Sequence, residues 1–141
     1  MNSSYDQNGP EPGQVRAVAA AALAAQAVRE LNHATITAGT GYTHPMDVTV
    51  TLTELAALVC RLPQALSQAS RWLTTEHTAG RLGHDGATPA GVLIDQADAA
   101  LSDASILCDR LADLLRAGCG HTAHLTATHS PTRPEHHQGT L

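Results

Sequence analysis

The sequence is poor in the residues on which most nucleic-acid-binding proteins depend. Its 141 residues include no lysine, no phenylalanine, one tryptophan and two tyrosines, and 13 acidic residues outnumber the eight basic residues, all of them arginine. Cationic side chains neutralise phosphates and aromatic rings stack on bases, so this composition argues against nucleic acid as a partner. The 25 alanines, and arginine in place of lysine, are typical of a high-GC coding bias and indicate nothing about function.

Long apolar runs are also missing, and cysteine is scarce. No stretch of 18 apolar residues is present, so the sequence predicts no membrane segment. The apolar stretch 17–28 follows an acidic leader, not the basic one of a secretory signal. Cys60, Cys108 and Cys119 are an odd number without a close pair, which favours reduced thiols, with Cys60 and Cys108 as small core residues. We therefore predict a cytoplasmic protein.

Changes in composition divide the chain into three regions. Residues 1–13 are polar, with proline and glycine, and are predicted to be a disordered leader. Residues 14–118 are rich in alanine, valine and leucine and are predicted to form one helical domain. Residues 119–141 are rich in histidine, threonine, proline and glycine and are predicted to be a disordered, histidine-bearing tail.

Apolar residues in the central region recur at alternating steps of four and three, which is the spacing of one helix face. We predict helices over about 14–33, 47–77 and 89–117. Asp47, or a competing capping box of Thr51 and Glu54, is expected to start the second helix, and a short strand over 48–51 is the alternative there. The third helix is expected to open with Thr88 as cap and Pro89 as its first residue, and to end at Gly118.

Pro63 falls inside the second predicted helix. Proline in a helix interior removes a hydrogen bond and clashes with the carbonyl four residues earlier. The apolar spacing nevertheless stays in register across Pro63, with Leu62 and Leu66 on either side of it. This favours one long helix bent at the proline over two short helices.

Both long helices carry two apolar stripes. We interpret the more regular stripe of each helix as core: Ala17, Ala21, Ala24, Val28 and Leu31; then Val48, Leu52, Leu55, Val59, Leu62, Leu66, Ala69 and Leu73; then Leu93, Ala97, Ala100, Ala104, Leu107, Leu111 and Leu114. A second flank runs beside the two long ones: Leu58, Ala65 and Trp72; then Ile94, Leu101, Cys108 and Leu115. Such wide apolar faces favour a globular bundle.

The predicted fold class is all-α, an antiparallel three-helix bundle with two long helices and disordered N- and C-terminal tails. Because its seams contain many alanines, three helices bury little apolar area, so we expect a homodimer that completes a larger bundle. The alternative is that the alanine-rich first helix covers the exposed surface by itself.

A cluster of acid, base, cation and aromatic side chains follows the second helix. It consists of Trp72, Glu76, His77, Arg81, His84 and Asp85. No nucleophile, phosphate-binding loop or paired carboxylates accompany it, so we expect no enzymatic activity and no cofactor. Tryptophan and arginine are frequent at interface hot spots, which favours a binding site for an unknown protein partner. The alternative is an ordinary capping loop in which Arg81 pairs with Glu76 or Asp85.

Two further functions are kept as alternatives. Cys119, His121 and His124, with His129, His136 and His137 beyond them, offer thiolate and imidazole ligands for zinc, copper or nickel. Their spacing matches no established metal-binding pattern, so a solvated tail is the competing interpretation. A small DNA-associated regulator would require four arginines to converge on one surface: Arg16, Arg29, Arg61 and Arg71.

Part of the chain resembles a known group of proteins. The residues Arg61-Leu62-Pro63-Gln64-Ala65-Leu66, Trp72-Leu73, Glu76-His77 and Ala79-Gly80-Arg81-Leu82-Gly83-His84-Asp85 are similar to a segment of small uncharacterised Ala/Leu-rich helical proteins of high-GC actinobacteria. The resemblance covers about a third of the chain and brings no activity with it. It implies an accessory role, in which the loop after Trp72 matters for function.

Overall fold

The computed structural model describes residues 15–36 and 41–128, and these residues form three helices and no strand. Helix α1 is Arg16–Thr35, α2 is Pro45–Thr78 and α3 is Ala90–Thr122. The all-α prediction is confirmed for this part of the chain. The predicted disordered leader and residues 129–141 of the predicted tail lie outside the described residues.

The chain divides into two compact units, residues 1–43 and residues 44–141. The first contains α1, none of whose residues is buried; Val28, in its predicted core stripe, is 37% exposed. Gly41 lies against the last turn of α1, where an added Cβ would come within 2.7 Å of Thr35 Cα. The packing of α1 in a three-helix bundle remains a prediction.

Helix α2 begins two residues earlier than predicted because His44, not Asp47, caps it. The Met46 N–H donates to His44 Nδ1 at 3.2 Å, and the His44 N–H donates to Asp47 Oδ2 at 2.8 Å. Pro45 occupies the first turn, where its missing N–H costs nothing. Asp47 thus closes a reciprocal capping box from inside the helix. Thr51 instead donates its hydroxyl to the Asp47 carbonyl at 2.8 Å, so the competing box does not form.

Pro63 does not interrupt α2, which is one helix of 34 residues. The continuous helix is therefore confirmed, and the alternative strand over residues 48–51 is wrong, since those residues are helical. Pro63 is half-buried, and because it has no N–H, the Val59 carbonyl lacks its usual helical donor.

Hydrogen bonds between α2 and α3 show that these two helices run antiparallel. Thr49 Oγ1 donates to Thr122 Oγ1 at 2.8 Å, near the start of α2 and the end of α3. At the other end of the pair, the Ser70 hydroxyl donates to an Asp98 carboxylate oxygen. Residues further along α2 are thus bonded to residues that come earlier in α3. The loop over 79–89 joins the two helices into a hairpin.

Helix α2 ends in a Schellman motif centred on Gly80. Its N–H donates to the His77 carbonyl at 2.9 Å, and the Arg81 N–H donates to the Glu76 carbonyl at 2.9 Å. Gly80 has φ of 71°, in the left-handed region that glycine adopts without a steric penalty. This glycine is the residue that allows the chain to leave the helix here.

We expect Gly80→Ala to lower the free energy of unfolding by about 1 kcal/mol, because alanine is strained at positive φ. An added Cβ at Gly80 meets no atom within 4 Å, so the loss comes from the backbone alone. Gly86→Ala, also in open space and without a positive φ, is the matched control and should leave stability unchanged or slightly raised. Urea denaturation followed by circular dichroism measures both; equal effects would contradict this explanation.

Both ends of α3 differ from the sequence prediction. Pro89 occupies the cap position without a side-chain hydrogen bond, so Thr88 is not the cap. The helix also runs through Gly118 to Thr122, so residues 119–122 are helical and not part of a disordered tail. Contacts with α2 account for this extension: Gly118 lies close to Leu52, and Cys119 and Thr122 contact Thr49.

The core of the hairpin is small. On α3 it lies on the second apolar flank, and not on the more regular stripe that the sequence analysis assigns to the core. The buried apolar residues of the described chain are Ala56, Val59 and Ala112. Next to them, the side of α3 towards α2 carries half-buried members of the predicted flank: Ile94, Leu101, Cys108 and Leu115. The predicted core leucines Leu107 and Leu114 are instead 65% and 60% exposed.

Candidate functional site

An exposed apolar surface, which we call the apolar face, is the most prominent feature of the hairpin. Its members repeat at steps of three and four along both helices: Leu55, Leu58, Leu62, Ala65, Ala69 and Trp72 on α2, and Leu93, Ala97, Ala100, Ala104, Leu107, Leu111 and Leu114 on α3. Leu62, Trp72 and Leu111 are 40%, 58% and 46% exposed. The α3 set is the one that the sequence assigns to the core.

The two halves of the apolar face lie on the same side of the hairpin. On α2, Leu58 comes one position before the buried Val59, and on α3, Leu111 comes one position before the buried Ala112. One position is a rotation of about 100° around the helix axis. Because the helices are antiparallel and face each other, a step of one residue back along either helix turns towards the same side of the pair. Both stripes therefore lie on that side.

An apolar concavity of about 270 Å³ lies beside this face at the loop end. Its lining residues come from α2, the loop and α3: Leu73, Leu82, Gly83, Ala90, Leu93, Ile94 and Ala97. Other large apolar residues, such as Val50, Val92 and Ile106, are exposed elsewhere on the helices. Scattered apolar residues are ordinary on a protein surface, whereas a continuous patch marks a contact surface.

The opposite side of the hairpin is polar and carries hydrogen bonds between the helices. A concavity of about 330 Å³ there is lined by serine, arginine and aspartate side chains together with two leucines: Leu66, Ser67, Ser70, Arg71, Asp98, Leu101, Ser102 and Ser105. Further along, Arg116 donates one N–H to Cys60 Sγ and another to Asp113 Oδ1, each at 2.7 Å. Cys60 is exposed, which corrects its assignment to the core.

The cluster predicted to bind a partner divides into residues that are engaged and residues that face outward. Arg81 binds Glu76 through two hydrogen bonds of 2.6 and 2.7 Å, as the capping-loop alternative expects. His77, His84 and Asp85 are exposed, and the His77 ring lies near Gly91 at the start of α3. Trp72 belongs to the apolar face, so of the six predicted residues it is the one that joins the cluster to the larger surface.

The Glu76–Arg81 pair leads to a prediction about the pKa of Glu76 and about how stability depends on pH. Hydrogen bonds from Arg81 lower the pKa of Glu76 below its ordinary value of 4.5. A carboxyl whose pKa is lowered by folding stabilises the folded protein above its unfolded pKa, and this contribution is lost as the pH falls through the lowered pKa. We expect Arg81→Gln to return the Glu76 pKa towards 4.5 in an NMR titration of the side-chain carboxyl. Arg71→Gln is the control and should leave the Glu76 pKa unchanged; an unaltered pKa in both variants would refute the pairing.

The structure does not bring the predicted metal ligands together. Cys119 faces α2, where its thiol donates to the Thr49 carbonyl at 3.8 Å and lies 3.5 Å from Thr53 Oγ1. His121 is exposed, about 200° further round the helix, and His124 follows the end of α3. In residues 15–36 and 41–128, no three histidine, cysteine or acidic side chains form a group able to hold a metal ion. His129, His136 and His137 lie outside those residues, so metal binding by the tail stays a prediction.

The arginines proposed for a DNA-associated regulator are divided between the two units, with Arg16 and Arg29 on α1 and Arg61 and Arg71 on α2. Arg61 donates to the Ala57 carbonyl of its own helix at 3.1 Å. Their convergence on one surface stays a prediction.

None of the helices that the structure describes is long and apolar enough to cross a membrane. In comparisons with known proteins, no family model, no curated protein and no solved structure matches the chain. The resemblance to small actinobacterial helical proteins therefore stays an expectation.

Proposed function

We propose that this chain is a non-enzymatic protein–protein interaction module, and that the apolar face of the α2–α3 hairpin is its contact surface. The observation that carries this proposal is the exposure of the α3 leucines: Leu107, Leu111 and Leu114 are 65%, 46% and 60% exposed, although they follow a regular heptad. Leucines in such a pattern are typical of helix–helix packing.

The size of the apolar face supports the proposal. From Leu93 to Leu114 it is about 30 Å long at about 1.5 Å per residue, and two adjacent helices of about 10 Å each make it about 20 Å wide. Its projected area is therefore on the order of 600 Å², and the accessible area of curved helices is larger. A stable interface buries about 800 Å² per partner, so this face approaches the size of a complete contact surface.

The loop end supplies the polar border of the proposed surface. Trp72, 58% exposed at the end of the α2 stripe, is the residue type most often found at interface hot spots. His84 and Asp85 lie in the loop beyond it, and both are exposed. We place Trp72 inside the contact and the two loop residues at its rim, in an accessory protein that acts by binding.

Site-specific photo-cross-linking in cells that express the protein tests this proposal. A benzophenone amino acid replaces Leu107 on the apolar face, and in a control variant it replaces Ser102, which lines the concavity on the polar side. We expect covalent protein adducts, with another protein or with a second copy, from position 107 but not from position 102. Absence of adducts at position 107, or equal yields at both positions, would contradict the proposal.

A further inference from the structure

We infer that the occupant of the apolar face is a second copy of this chain, bound with its helices reversed. This inference rests on the proposed function and identifies its partner. Apart from Trp72 and Leu93 at its loop end, the apolar face consists of two parts of different height. A leucine half contains Leu55, Leu58, Leu62, Leu107, Leu111 and Leu114, and an alanine half contains Ala65, Ala69, Ala97, Ala100 and Ala104.

In the hairpin, the α2 members and the α3 members of each half lie at the same height along the helix axes. Ser70 contacts Asp98 and Cys60 contacts Arg116, so the alanines of α2 lie beside those of α3, and the leucines beside the leucines. On α3 each half spans one heptad, 97–104 and 107–114, or about 10 Å at about 1.5 Å per residue. The raised half and the shallow half are thus equal in length along α3.

Equal lengths make these two halves complementary to each other under one two-fold axis. An axis that crosses the helices between Ala104 and Leu107 lays the leucine half of one copy on the alanine half of the other. Ala100 then lies opposite Leu111 of the second copy, and Ala97 opposite Leu114. An axis parallel to the helices would instead stack leucine on leucine and leave the alanine halves apart, which packs poorly.

Other segments of the chain fit this surface less well. Residues 1–14, 37–40 and 129–141 contain only Met1, Tyr5 and Leu141 as large apolar residues, so they lack the side chains to cover it. Helix α1 is a single helix whose predicted stripe has only Val28 and Leu31 larger than alanine. One such helix is about 10 Å wide against a face of about 20 Å, whereas a second hairpin matches the face in width and in relief.

The reversed arrangement predicts a specific rescue by exchange of side-chain size. Ala100→Leu should raise the dissociation constant of the dimer at least about tenfold by overpacking, and Leu111→Ala should do the same by leaving a cavity. The double variant Ala100→Leu/Leu111→Ala should recover most of the wild-type affinity, because it restores one large and one small residue at each contact. Within one chain the two positions are about 16 Å apart along α3, so recovery can only come from contact between copies.

Sedimentation equilibrium of the full chain measures these constants, with Ala99→Leu, an exposed position outside the apolar face, as the control that should leave the dimer unchanged. A second measurement needs no substitution: the emission of Trp72, the single tryptophan, should shift to shorter wavelength as dimers form with rising concentration. A wild-type monomer of 14.7 kDa at all concentrations would overturn the inference, as would a double variant no better than the singles. Adducts from position 107 to other proteins, together with a monomeric purified chain, would overturn the inference and leave the proposed function standing.

Discussion

Ala112→Leu should lower the free energy of unfolding by about 1–3 kcal/mol, because added side-chain volume in a closely packed contact forces neighbouring atoms apart. Ala112 is 1% exposed, the least exposed of the three buried core residues, and the other two are the small Ala56 and Val59 on the facing helix. Small side chains allow a close approach of α2 and α3, and a leucine at position 112 would have to separate them. The loss should appear in chemical denaturation followed by circular dichroism.

Ala117→Leu is the matched control for this prediction. Ala117 is on the same helix, is exposed, and undergoes the same chemical change. Its substitution should alter stability by no more than about 0.5 kcal/mol. If both variants lose stability equally, the cause is a property of leucine in α3 and not the packing against α2. If neither loses stability, the close contact at Ala112 does not exist in solution.

Pro63→Ala should raise the free energy of unfolding by about 2 kcal/mol. Proline in a helix interior is less favourable than alanine by about 3 kcal/mol, and part of this gain is offset by the apolar area that the half-buried proline ring covers. Alanine would restore the N–H that the Val59 carbonyl needs, in a helix that is continuous around the proline.

Pro45 provides the comparison, since both prolines belong to α2 but only one is in its interior. At the first helical position proline removes no hydrogen bond, so Pro45→Ala should change stability by no more than about 0.5 kcal/mol. Thermal unfolding of the two variants beside the wild type distinguishes the positions. A loss of stability in Pro63→Ala would show that burial of the proline ring outweighs the missing hydrogen bond.

The helices themselves could be predicted from sequence because their apolar spacing is long and regular. The period of α2 persists through Pro63, and that persistence correctly indicated one helix. The ends were harder to predict, since they depend on tertiary contacts and on single caps. His44 caps α2 through a ring nitrogen, and Gly118 stays helical because residues around it pack on α2.

The side of α3 that faces its partner could not be predicted from periodicity. Two stripes, one through Leu107 and one through Cys108, are both apolar and one position apart, and the sequence analysis assigned the more regular one to the core. The contact with α2 instead forms on the other stripe, around the buried Ala112, and leaves Leu107 and Leu114 exposed. The sequence singled out Trp72 by its residue type, and its role in binding stays a prediction, whereas Leu107, Leu111 and Leu114 were assigned to the core and are exposed.

The hydrogen bonds between α2 and α3 bear on how this hairpin can change in evolution. Thr49 with Thr122 and Ser70 with Asp98 fasten the two helices near opposite ends of their contact. Alignment of the helices is thus set by residues outside the apolar face. On the proposed function, substitutions that reshape the leucine and alanine halves would change the partner that the hairpin binds, while its two helices keep the same alignment.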